Sequence, residues 1–389
     1  ALRQKGLKVA TLIQHKRVEF SELFYDLVFV FAISKTTSLI HHLHNGILTW
    51  DSILAFLVTL LVLVNSWMIQ TVFTNRYGKN SLVNMIVMFT KMALLLLLSN
   101  LITTDWQENY RYFCTVVVFL SLTLFIQYLI EYRRKESDME NQKSIMGFLY
   151  LTGIRSVVAF IAAMLPIQTG SILFIVGILV TFIMPIFNTR RDVAFKINLP
   201  HLIERISLLV IITFGEMVMG LADYYTPETF SMTSILLFLL MVLLFLYYFG
   251  QFDHAIDEAS NSRGLFLIYS HYPIFIGLIM ITVSMSFLVN PEADHLFVTA
   301  FFFAGIGLFQ AAILANGPYN KDYLRYSKGY YMIQIIIFIV GTAVGLFFKN
   351  EPVLVILGAT LMVFLMELHF AQFYTRQSIK HGKLDWYLI

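Results

Sequence analysis

Apolar runs of about 20 residues, separated by short polar interruptions, recur along the whole chain of 389 residues. A hydrocarbon layer of about 30 Å takes about 20 residues of helix to cross. The runs therefore predict twelve spanning helices, at 20–40, 50–72, 81–102, 111–131, 146–166, 171–188, 200–222, 230–252, 265–289, 295–316, 329–348 and 353–375. The sizeable charged connection "EYRRKESDMENQK" (131–143) and the break at "NTRRDVAFKINLP" (188–200) punctuate this pattern, and the second divides it into six spans plus six.

An even number of spans in each part makes both parts enter from the same side, the arrangement of parallel repeats. Sliding the sequence by 182 residues lays Glu22 on Glu204, Leu27 on Leu209 and Val28 on Val210. The predicted fold is thus an all-α polytopic membrane protein of two six-helix parallel pseudo-repeats. A basic N-terminus (1–19) precedes a first half (20–188), a linker (189–199), a second half (200–375) and a C-terminal tail (376–389). The polar opening runs into the first apolar segment without a small-residue cleavage site, so no cleavable signal is expected.

Composition agrees with this pattern and narrows the chemistry. Hydrophobic residues make up 58% of the chain and charged ones 13%, against about a quarter charged in soluble domains. Of the 27 lysines and arginines, 21 fall in the N-terminus, the even-numbered connections and the C-terminus. By the positive-inside rule both termini are expected in the cytoplasm. The same juxtamembrane placement accounts for the net charge of +3, so no nucleic-acid partner is expected. The single cysteine, Cys114, excludes an intrachain disulfide or a thiolate cluster. No P-loop, GxSxG elbow or dinucleotide fingerprint occurs, which argues against ATP-driven transport within the chain and against a bound cofactor. "HHLH" (41–44) and "DHAIDE" (253–258) lie at predicted membrane surfaces without a recognised ligand spacing, so no metal is expected.

The candidate chemistry lies in ionisable side chains inside spans: Glu22, Asp26, Lys35, Lys91, Arg155, Glu204, Arg205, Glu216 and Glu367. Such groups normally face the bundle interior and pair, and they mark either substrate and ion pathways or structural ion pairs. Glu22 and Asp26, at i and i+4, share one helix face. Lys35 and Glu216 each sit about 24 Å from the start of the first helix of their half, which predicts a structural ion pair between them. His201, Glu204 and Arg205 form an i, i+3, i+4 cluster suited to an anionic headgroup or a proton relay. Gly215 beside Glu216 predicts a close helix approach, and His271 beside Pro273 predicts a kinked, cavity-lining histidine.

The stretches "ELFYDLVFVFAI" (22–33), "HLIERISLLVIITFGE" (201–216) and "YSHYPI" (269–274) resemble the bacterial low temperature requirement protein A (LtrA) family over nearly the whole chain. The family pattern falls on Glu22, Asp26, His201, Glu204, Arg205, Gly215, Glu216 and His271. The resemblance implies a multi-pass protein of the bacterial plasma membrane linked to growth in the cold, and it implies no reaction.

Three readings follow. The first is a secondary transporter of an anionic metabolite or a lipid-linked substrate, its central cavity lined by Asp26, Lys91, Arg155, Glu204, Arg205, Glu216 and His271. The acids there carry protons or ions, and the cations hold the substrate. The second is an intramembrane enzyme acting on a lipid. The third is a receptor or assembly factor whose charges only hold the bundle together. The partners expected are membrane lipids and a small-molecule or lipid substrate.

Overall fold

The computed structural model describes residues 16–79, 81–103, 106–134, 139–191, 197–260 and 262–383. These residues fold into helices, in chain order α1 (Phe20–Asp26), α2 (Val28–Ser38), α3 (Trp50–Tyr77), α4 (Leu82–Asn100), α5 (Trp106–Tyr132), α6 (Met139–Met164), α7 (Ile167–Arg191), α8 (Leu199–Ala222), α9 (Met232–Phe249), α10 (Leu265–Leu288), α11 (His295–Ala315), α12 (Lys328–Phe347) and α13 (Pro352–Lys380). Eleven of them, α3 to α13, are long and apolar enough to cross a membrane.

The first predicted span, 20–40, is divided. At Leu27 the backbone tightens to i→i+3 bonds, Leu27 N–H to Phe24 O and Val30 N–H to Leu27 O, both 3.2 Å. The apolar segment is thereby cut into two short helices immediately after Asp26. Several other helices run past their predicted ends, α3 to Tyr77 and α13 to Lys380, because polar turns continue a helix beyond its apolar stretch.

Local sequence sets many of the boundaries. Thr49, Ser81, Asn198, Asp294 and Ser327 cap the starts of α3, α4, α8, α11 and α12 with their side-chain oxygens. At the other end of α3, the Lys16 ammonium donates to the carbonyls of Thr74 and, at 3.1 Å, Gly78, a favourable place for a cation on the helix dipole. Burial there pulls this ammonium below its ordinary value, against the opposing pull of Glu22 and Glu19.

In the first half α2 packs on α4, α4 on α5, α5 on α6 and α6 on α7. In the second, α8 packs on α10, α10 on α11, α12 on α13 and α13 on α9. α3 and α10 are the most enclosed helices and touch each other, while α4, α7 and α12 turn most of their surface outward. On α12 that outward face is hydrocarbon, including Ile335, Ile336, Ile339 and Val340. α10 and α11 cross closely, and a Cβ added at Gly277 would lie 2.6 Å from the carbonyl oxygen of Gly305.

The two halves meet along α2 and α8. Hydrogen-bonded residues on α1 and α8 are separated in sequence by 179 to 183 positions. Ser34 on α2 faces Glu216 on α8 at nearly the same offset. A constant offset means that the first helices of the two halves run parallel, since in an antiparallel pair the offset would change along the contact. At the distal end, opposite the start of α1, Gly46 links the loop after α2 to the start of α11. It adopts φ +82°, and its carbonyl accepts from Asp294 N–H at 2.9 Å, so close that an added Cβ would lie 2.8 Å from that nitrogen.

Candidate functional site

The carboxylates that stand out in the first apolar segment meet α8 and α3 near the proximal end of the bundle. Asn198 caps α8 and Pro200 occupies its first turn, which fixes the helix start. Asn75 of α3 clamps that start, donating to Asn198 O at 2.8 Å and accepting from Asn198 N–H at 2.9 Å. These two bonds orient the Asn75 amide so that its NH₂ group donates to His201 Nδ1 at 3.1 Å. The ring proton of His201 then sits on Nε2, which donates to Glu22 Oε2 at 3.0 Å.

Arg205, one turn further along α8, bridges both acids. One terminal nitrogen donates to Glu22 Oε2 at 2.9 Å and the other to Asp26 Oδ1 at 2.7 Å. Asp26 Oδ1 also accepts from Trp67 Nε1 at 2.7 Å, and the guanidinium lies 5.3 Å from the Trp67 ring. The i, i+4 spacing of the acids is the spacing that lets one planar guanidinium reach both. Glu22, Asp26, Trp67, His201 and Arg205 are all buried. Among the described residues Asp26 Oδ2 and Arg205 Nε have no hydrogen-bond partner.

Lys91 and Arg155 lie outside this interlock, deeper in the first half, and they are 1% and 2% exposed. The Lys91 ammonium donates to the amide oxygens of Gln70 on α3 and Gln127 on α5. Arg155 donates to Ser66 Oγ at 2.7 Å and, more weakly, to Val62 O at 3.4 Å, both on α3. No carboxylate forms a salt bridge with either cation among the described residues.

The single central cavity expected from the sequence is not formed. Glu204 is exposed, since its neighbour Arg205 takes the inward direction and successive residues of a helix differ by about 100°. Glu216 is half-buried near the distal end of α8, about 16 Å from Arg205 along the helix. It faces Ser34 and lines a pocket of about 460 Å³ with Thr37, His41, Asp223, Ser231 and Thr282. The expected Lys35–Glu216 ion pair is absent among the described residues: equal depth fixes height but not azimuth, and Ser34 takes the direction toward α8. The Lys35 ammonium sits 5.5 Å from the Phe31 ring instead.

His271 belongs to a separate network within the second half. Its Nδ1 donates to Leu267 O at 2.7 Å, and its Nε2 contacts Tyr248 Oη at 3.0 Å, which lies 3.2 Å from Ser207 Oγ. Gly215 has nothing within 4 Å of an added Cβ, so it marks no close approach.

Trp67, Asn75, Gln70 and Gln127 complete these arrangements and were not singled out as site residues by sequence. For the three on α3 the available signal was the run "NSWMIQTVFTN" (65–75), which places three amides inside a helix of membrane-spanning length.

The class is therefore a helical membrane protein with an ion-paired cluster buried between α1, α3 and α8. The family model described as bacterial low temperature requirement A protein (LtrA) matches residues 17–366, and the chain belongs to that family. No match is found among curated proteins.

Proposed function

We propose that the chain is a secondary transporter of the bacterial plasma membrane, with both termini cytoplasmic, which moves an anionic metabolite or a lipid-linked anion in exchange for protons or ions at Glu22 and Asp26. The observation that carries this reading is the interlock of Glu22, Asp26 and Arg205 between parallel helices, placed beside a one-residue tightening of the helix at Leu27. Ionisable groups buried where two repeats meet are a recurring construction of coupled transporters.

The order of neighbours supports a repeat: in each half the first helix packs on the third, the third on the fourth and the fifth on the sixth. The charges support a pathway rather than one reaction centre, because the interlock, Lys91, Arg155 and Glu216 are strung along the bundle. In the mechanism, the free Oδ2 of Asp26 takes a proton, its ion pair to Arg205 weakens, and α1 and α8 part. Trp67 transmits that change to α3, the helix that also holds Lys91 and Arg155.

The test is mass spectrometry of small molecules co-purified with wild-type protein, followed by flux of the identified anion in proteoliposomes. Asp26→Asn and Glu22→Gln are expected to retain binding and lose the dependence of flux on a pH or ion gradient. Unchanged gradient-driven flux in both folded variants contradicts the coupling.

A further inference from the structure

Around α3 lies a set of buried nitrogen donors that have no hydrogen-bond partner among the described residues. Lys91 and Arg155 bring an amine and a guanidinium into the interior, with no carboxylate in a salt bridge to either among the described residues. Beside them Asn65 Nδ2, Gln70 Nε2, Gln127 Nε2, Arg155 Nε and one terminal nitrogen of Arg155 have no hydrogen-bond partner among the described residues. These are five nitrogen donors, and all belong to residues no more than 4% exposed. Native interiors rarely leave such groups unmatched, and a donor set joined to an amine and a guanidinium suits an acceptor with several lone pairs, such as an oxyanion.

The groups are also close together. Lys91 is held at Gln70 and Arg155 at Ser66, residues one turn apart on the same face of α3, a rise of about 6 Å. A narrow cleft of about 20 Å³, room for a single water, is lined by Glu19, Glu22, Gly78, Lys79 and Gln127. It leads from the loop after α3 to the amide that holds Lys91.

We propose that Lys91, Arg155, Asn65, Gln70 and Gln127 form a binding site for a compact oxyanion, a carboxylate or phosphate, reached from the proximal end of the bundle. This deepens the transporter reading by giving the substrate's charged group a location, though binding itself is independent of transport. The oxyanion accepts from the free amide and guanidinium nitrogens, while the ammonium and guanidinium balance its charge. Several lone pairs on one head suit the spread of donors along α3, and phosphate is presented equally by a free solute or by a lipid headgroup.

The experiment is thermal unfolding of the full chain in detergent, titrated with sodium acetate, sodium phosphate, a short-chain phosphatidate, and sodium chloride at matched ionic strength. Wild type is expected to be stabilised by an oxyanion beyond the effect of chloride. A shift with acetate or phosphate identifies a free solute as sufficient, and a shift with phosphatidate alone identifies a lipid headgroup. Lys91→Gln is expected to weaken that response at least about tenfold.

Gln127→Glu keeps the test decisive if Lys91→Gln unfolds, because it supplies a fixed carboxylate at Lys91. That variant is expected to melt higher without added anion and to lose the response. A wild-type shift that chloride reproduces, or a Gln127→Glu protein that melts lower and still responds, overturns the site. Oxyanion binding without flux in proteoliposomes leaves the site standing and removes the transporter reading. Gradient-driven flux in a wild-type protein that shows no oxyanion shift does the reverse.

Discussion

Buried amides are treated differently around α3 and α5 and among α9 to α13. In the second half Gln334 accepts from Tyr247 and Gln310 and donates to Met366 O at 3.1 Å, Gln251 donates to Asn320 at 2.7 Å, and Asn316 donates to Ser270 at 2.9 Å. Each amide there is answered by a neighbour. In the first half Asn65, Gln70 and Gln127 keep free NH₂ groups beside two cations. A satisfied network rigidifies its helices, whereas an open one carries a desolvation cost that a ligand can relieve. The second half thus reads as scaffold and the first as the part that receives something, with Arg205 reaching across from the scaffold to hold the first helix.

The sharpest way to break this comparison is at the joint. Arg205→Ala leaves Glu22 and Asp26 buried without their cation, and about 3 to 5 kcal/mol of stability is expected to be lost, read as a large fall in thermal midpoint in detergent. Arg205→Lys is expected to recover only part of it, because an ammonium cannot bridge both carboxylates as the planar fork does. Within the scaffold, Gln334→Leu strands the groups it now joins. It is expected to cost about 1 to 3 kcal/mol while leaving any oxyanion response unchanged. Gln127→Glu in the first half is expected to have the opposite sign, a gain of about 1.5 to 3 kcal/mol from a charge-assisted contact with Lys91, measured by the same melts. Glu204→Gln, on the exposed face of α8, is expected to shift stability by no more than about 0.5 kcal/mol.

Much of this architecture was legible in the sequence, and the physical reasons for success and failure differ by element. Span number and approximate position follow from hydrocarbon thickness, so α3 to α13 were found from apolar length alone. Leu27 was missed because the segment around it is uniformly apolar, and the break depends on backbone geometry that apolar length does not report. The pairing of Glu22 with Asp26 on one face was readable from helix periodicity, and so was the pairing of His201 with Arg205 on theirs. Which cation met which acid was not, since depth along a helix leaves rotation about its axis undetermined. That is why Glu204 was placed inside, and why Lys35 was assigned to Glu216. The amides of α3 were overlooked because Gln and Asn carry no charge to draw notice, although a span holding Asn65, Gln70 and Asn75 must satisfy each of them.

The claim that the first half receives an anion while the second supports it is tested most directly by hydrogen exchange on the full chain in detergent, with and without phosphate at constant ionic strength. The account predicts slower exchange confined to α3, α4, α5 and α6, around Gln70, Lys91, Gln127 and Arg155, with α9 to α13 unchanged. Slowing spread evenly over both halves, or absent from α3 and α4, would contradict it.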